Sequence, residues 1–201
     1  MLAMTGKVMV RNEGITLIEL IIVISIIGIL VVALGFSFQG WIGSYNVESQ
    51  IKEIYVDLMN ARARAMEKNR IHFVRLNNSN SYSIYEDDSD GTAKVPDGDG
   101  TLQTGTGASA DTQLGGFPKT VEYNINWNNS AVGAPVNLTF NTRGIATTLG
   151  SISIFVDRDG NGKKDFEPDY DCIVIASTRI NTGKLDDKGT TSRGDDECNA
   201  K

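Results

Sequence analysis

The sequence predicts an α+β protein: a long N-terminal helix, a transmembrane half followed by an amphipathic half, packed on an antiparallel, β-rich C-terminal domain. Three observations carry this reading. Leu20–Phe38 is an almost unbroken apolar run. Residues 39–69 then repeat apolar side chains at i, i+3, i+4 spacing. After Asn69 the period falls to two, with β-branched and aromatic residues between Gly, Asn and Asp turns.

The totals narrow the function classes. A chain of 201 residues holds one main domain. Its hydrophobic fraction of 40% is concentrated in the first fifth, so the remainder reads as a water-soluble domain. The formal net charge is −6, which gives no general attraction for nucleic acid phosphates. His72 is the only histidine, and the two cysteines lie far from it. A zinc centre or a Cys/His nucleophile pair would need partners the chain lacks. Neither a Ser/His/Asp set nor a phosphate-cradling glycine loop is present, so no catalytic role and no organic cofactor are expected.

At about 1.5 Å per residue, Leu20–Phe38 measures roughly 28 Å, close to the hydrocarbon thickness of a bilayer. Lys7 and Arg11 precede it, which places the leader in the cytoplasm and the C-terminal domain outside. A secretory signal would show a small-residue cleavage site after the run. Residues 36–45 read "FSFQGWIGSY" instead, so a cut is expected before the run, which stays in the mature chain. Glu19 stands at the head of the run. A charge inside a membrane segment costs roughly 2.5–3.5 kcal/mol on insertion scales. Two readings remain open on spacing alone: the carboxylate sits among headgroups, or it waits for a cationic partner.

"GITLIE" (14–19) followed by the apolar run resembles the cleavage and methylation site of type IV pilins and type II secretion pseudopilins. The resemblance implies cleavage after Gly14 by a prepilin peptidase and N-methylation of Ile15. Phenylalanine is the commoner residue there. Glu19 matches the family glutamate that attracts the N-terminal amine of a neighbouring subunit. That role agrees with the physics, because a cation within about 4 Å offsets the cost of a carboxylate in low dielectric. The implied partners are other pilin or pseudopilin subunits, the peptidase and an inner-membrane assembly platform. The implied location is the bacterial inner membrane, spanned once, with the C-terminal domain in the periplasm or on a fibre surface. The chain then divides into a leader (1–14), a transmembrane and assembly helix (15–38), an amphipathic half (39–69) and a β-rich domain (70–201).

Within 39–69, Ile51, Ile54, Tyr55, Leu58, Ala61, Ala65 and Met66 form the expected inner stripe. Lys52, Glu53, Asp57, Arg64 and Glu67 take the other side. Expected strands are 70–76, 81–86, 120–128, 136–142, 151–157 and 172–178. His72 falls in the first, as a packed or rim residue. Residues 87–118 are dense in Gly, Asp, Ser and Thr and read as an exposed, mobile loop with solvated acids. No proline precedes Pro96, unlike the major pilins. The order of elements, with the turn Phe140, Arg143, Gly144, resembles minor pilins and H-type pseudopilins. Some relatives bind DNA through a late arginine pair. Here Arg179 alone occupies that stretch and the chain is acidic, so nucleic acid is not an expected partner.

"DRDGNGKKDFEPD" (157–169) resembles the start of an EF-hand loop, with Asp157, Asp159 and Asn161 at alternate positions and Asp165 further on. The twelfth position is Pro168 rather than a bidentate glutamate, and Lys163 and Lys164 reduce the local negative charge. A calcium ion and a plain polar hairpin both suit this pattern. Cys172 and Cys198 make an even pair, which in an exported domain favours a disulfide over a disordered tail. The function expected is a minor pilin or pseudopilin. The alternative is a surface-exposed pilin acting as an adhesin or DNA-binding module.

Overall fold

The computed structural model describes residues 14–96, 98–128, 130–160, 162–186 and 197–201, without the side chains of 33–39 and 130. One helix, α1, runs from Leu17 to Lys68. It ends where the sequence pattern changes. Asn69 takes a left-handed conformation (φ 52°), and the Arg70 N–H reaches back to the Ala65 carbonyl at 3.2 Å. That six-to-one bond is the Schellman closure, with asparagine in place of the usual glycine. The chain divides into two compact units, one ending at Gln39 and one spanning Gly40–Lys201.

In the second unit α1 buries Val47, Ile51, Ile54, Leu58, Ala61 and Ala65. Their spacing alternates between four and three residues, so they form one stripe along the helix. Met66, expected on this stripe, is exposed, and Asp57, expected on the solvent side, is buried. Eleven strands follow among the described residues: β1 (His72–Asn78), β2 (Ser81–Glu86), β3 (Thr112–Gln113), β4 (Lys119–Thr120), β5 (Ile125–Trp127), β6 (Ser130–Ala131), β7 (Val136–Phe140), β8 (Gly150–Ile154), β9 (Cys172–Ile175), β10 (Ile180–Leu185) and β11 (Cys198–Ala200). One sheet has the order β3-β2-β1-β7, with β4 also paired to β2. The other has the order β11-β10-β9-β8-β5-β6. Every pairing is antiparallel. Val74, Leu76, Ile84 and Leu138 of the first sheet share one core with Ile125, Ile152, Ile154 and Ile173 of the second and with the α1 stripe.

Residues 120–128, expected as one strand, divide between the sheets. Val121 N–H bonds to Asn80 O and Ile125 N–H to Ser79 O, and the residues between cross over. Gln50 of α1 makes the crossing possible. Its side-chain amide donates to Tyr123 O (2.7 Å) and its carbonyl accepts from Tyr123 N (2.9 Å). A buried peptide that leaves both ladders is thereby satisfied. β10 and β11 were not expected, because "INTGKL" and "CNA" carry too few β-branched or aromatic residues to signal a strand.

The 87–118 segment also departs from expectation. It is a folded excursion, and two of its acids are buried: Asp87 and Asp111. Asp87 accepts from the backbone N–H of Asp99 and Gly100, at 3.2 and 2.9 Å. Asp111 accepts from those of Asp88, Ser89 and Gln103, at 3.2, 3.1 and 2.8 Å. Asp88 takes the Thr112 N–H and hydroxyl and the Lys94 ammonium. Carboxylates thus do the ordering that apolar residues do elsewhere, by satisfying backbone donors. Burial pushes the Asp87 and Asp111 carboxyls above their ordinary values, against the pull of these bonds. Gly98 lies so close to the Asp87 carboxylate that a Cβ would overlap it, and its φ of +65° also favours glycine.

Candidate functional site

Gly14, Ile15 and Thr16 precede α1 in a non-helical conformation, and all three are exposed. Thr16 is the helix cap. Its hydroxyl accepts the Glu19 N–H at 3.3 Å, and its carbonyl accepts the Leu20 N–H at 3.2 Å. The signal was in the sequence as T-x-x-E ahead of an apolar run, the pattern of a capping box. Glu19 therefore occupies the first turn of α1, where the unpaired N–H groups favour a negative charge. Its side chain lies on the surface. The Gly14–Ile15 bond stands outside the helix, which starts at Leu17.

From Ile15 to Val32 the large apolar side chains are exposed on every face, from Leu17 at 77% to Val23 at 47%. A helix that is apolar all round needs lipid or other helices around it. Among the described residues no helix is long and apolar enough to cross a membrane. The expected span includes 33–38, whose side chains lie outside the description. The leader, 1–13, also lies outside the described residues.

The segment between β8 and β9 gathers Asp157, Asp159 and Asp165, with one carboxylate oxygen of each within 4.8 Å of the others. Asn161 lies outside the described residues. The Gly160 and Gly162 N–H groups donate to Asp157 at 2.8 and 2.9 Å, and the Arg158 N–H donates to Asp165 at 3.0 Å. Clustered carboxylate oxygens are the ligand type a hard divalent cation such as calcium takes. Lys164 does not face the three acids. It turns inward to Asp171. The segment is tied to α1 where Ser44 Oγ accepts the Glu167 N–H at 3.1 Å.

Cys172 and Cys198 are joined as a disulfide, with Cα atoms 6.0 Å apart. The bond closes the C-terminal residues onto the sheet, where β11 pairs with β10 in the register Leu185↔Cys198 and Gly183↔Ala200.

The Phe140–Gly144 turn docks on α1. Asn141 Oδ1 accepts the N–H of Arg143 and of Ile145, and Gly144 has φ +69°. A side chain at Gly144 would run into Met66 and Arg62. Arg143 and Arg179 are both exposed. They sit on adjacent turns, since Ala146 N–H bonds to Ser177 O at 2.9 Å.

Residues 9–35 match the family described as the prokaryotic N-terminal methylation motif. The chain carries the signal of type IV pilins and pseudopilins, with no branch specified. No curated protein and no solved structure matches the chain.

Proposed function

We propose that this chain, which bears the type IV pilin and pseudopilin signal, is a minor pilin or pseudopilin: a structural subunit cleaved after Gly14, N-methylated on Ile15 and polymerised through its apolar helix. The observation that carries this is the start of α1. A scissile peptide lies just outside a capped helix, with Glu19 in its first turn and apolar side chains exposed all round behind it. Removing residues 1–14 creates an ammonium at Ile15. On a neighbouring copy that ammonium is the cation a lipid-level carboxylate lacks. The pair also sets axial register, because slipping by one turn, about 5.4 Å, breaks it. The β-rich domain, in a pilin-like arrangement on the second half of α1, is carried outside the inner membrane. The division into 1–14, 15–38, 39–69 and 70–201 belongs to the same proposal, as do the peptidase and the assembly platform as partners. Mass spectrometry of the N-terminus of the native protein tests it. A methylated chain beginning at Ile15 is expected. A chain that retains Met1–Gly14 removes the reading.

The convergence of Asp157, Asp159 and Asp165 supports calcium as a structural ion of the loop. The adjacent turns bearing Arg143 and Arg179 favour the alternative reading, an exposed DNA-binding or adhesive face. Titration with duplex DNA at two salt concentrations separates the readings. The structural-subunit reading expects no salt-sensitive binding that is lost in Arg179→Ala.

A further inference from the structure

The second unit begins with large side chains that its own core does not use. Trp41, Ile42 and Tyr45 of α1 are 69%, 50% and 64% exposed. The α1 stripe that faces the sheets starts only at Val47. Trp41 and Tyr45 are four residues apart and share one helix face, which Ile42 widens. The opposite face of the same turn is clamped to the domain. Phe166 lies so close to Gly43 that a Cβ there would overlap its ring, and Ser44 Oγ accepts the Glu167 N–H at 3.1 Å.

We propose that Trp41, Ile42 and Tyr45 form an interfacial anchor, a patch that lies in the lipid headgroup layer on the outer side of the membrane and seats the second unit there. The inference rests on the reading of this chain as a membrane-anchored subunit, and adds where the membrane ends and what meets it. No Asp, Glu, Lys or Arg stands between Glu19 and Glu48. At about 1.5 Å per residue that stretch measures roughly 42 Å as helix, the thickness of a bilayer with its headgroup layers. The apolar run, which ends at Phe38, accounts for the hydrocarbon alone. Trp41 follows by three residues, which reach about 4.5 Å as helix and at most about 11 Å in any conformation.

The side chains suit that depth. In hydrocarbon the indole N–H and the phenol O–H would lack hydrogen-bond partners. In water both rings would stay wet. The headgroup layer offers acceptors and apolar contact together, which is why Trp and Tyr gather there. A second copy could also cover the rings. Residues 39–47 carry no charge that would fix the register of a protein partner, and lipid requires none. The clamp at Gly43 and Ser44 makes the anchor act on the domain as well as on the helix. The 157–169 segment, held to the same turn, comes to rest beside the headgroups.

The test reads the depth of Trp41. The chain has two tryptophans, so Trp127→Phe leaves Trp41 as the sole indole. The full chain is reconstituted at low density in vesicles of phosphatidylethanolamine and phosphatidylglycerol and recovered by flotation. Lipids brominated high on the acyl chain are expected to quench Trp41 strongly, and lipids brominated near the chain end weakly. Acrylamide in the water is expected to quench it only in part, and more fully after Tyr45→Ser. The difference between the unaltered chain and Trp41→Phe repeats the measurement with Trp127 in place. Full acrylamide quenching without lipid quenching overturns the proposal, as does strongest quenching by the deep bromines. Trp41 emission that changes with the protein-to-lipid ratio makes a second copy the occupant and overturns it too. An unchanged signal after Tyr45→Ser overturns the shared anchor. A chain that does not float with the vesicles fails the membrane reading itself, whereas one that floats with Trp41 in water fails the anchor alone.

Discussion

At the residue scale, single polar side chains satisfy backbone that neither sheet can reach. Gln50 is the clearest case, holding both the N–H and the carbonyl of Tyr123. Gln50→Leu keeps the volume but orphans two buried groups, each worth about 1–3 kcal/mol. A loss of about 2 kcal/mol or more is expected in chemical denaturation. Asp57 instead satisfies side chains, accepting from the Tyr82 hydroxyl and the Lys119 ammonium, both at 2.7 Å. Burial first, and Asp57 second, raise the Tyr82 phenol. His72 is enclosed between Glu86 and Phe140 on its neighbouring strands, and its ring Nε2 has no hydrogen-bond partner. Burial lowers its pKa below the ordinary 6.5. The folded chain therefore binds fewer protons at this site than the unfolded chain. The neutral ring is tolerated above pH 6.5, and stability falls as pH drops through 6.5 toward the lowered folded value. His72→Leu is expected to flatten that part of the stability profile, measured by thermal melts across pH.

At the element scale, β11 and the 157–169 segment depend on few attachments. β11 has three residues, and the disulfide closes a span of 26. Loop-closure entropy for that span is about 3 kcal/mol. Reduction, or Cys198→Ser, is expected to lower stability by roughly that much. It should also speed amide exchange in Gly183–Leu185, whose ladder partner is then freed. If exchange there is unchanged, the strand holds by its hydrogen bonds alone. For the 157–169 segment, calcium is expected to raise the melting temperature, and chelation to reverse it. Asp157→Asn should remove the shift, and a wild-type chain indifferent to calcium would leave only a polar hairpin. The 87–118 excursion is likewise ordered by a handful of acids, so Asp111→Ala, which orphans three backbone donors, is expected to expose it to proteolysis.

At the scale of the whole molecule, the decisive group is Glu19. In the proposed assembly, its cost in lipid is relieved by the N-terminal ammonium of a second chain. Glu19→Ala is expected to leave membrane insertion unchanged and to reduce incorporation into fibres strongly, measured by fractionation and quantitative blotting. Undiminished incorporation would remove the pairing role. A head-to-tail contact of this kind builds an open filament when its rotation does not close into a ring.

The processing signal, the apolar run and the class of fold were legible in the residues, because each is written in local period and composition. Gly14–Glu19 reads as a unit, and the stripe Ile51, Ile54, Leu58, Ala61, Ala65 follows from helical geometry alone. The break at Asn69 is legible for the same reason. Tertiary structure alone decided the rest. It turned Asp57, Asp87 and Asp111 inward, which no local pattern marks, since an acid is buried only when distant donors converge on it. It set Lys164 against Asp171, and made strands of "INTGKL" and "CNA" by giving them β9 and a disulfide to pair against. Contacts between residues far apart in the chain leave no period to read, and that physical fact divides what the sequence determined from what the fold added.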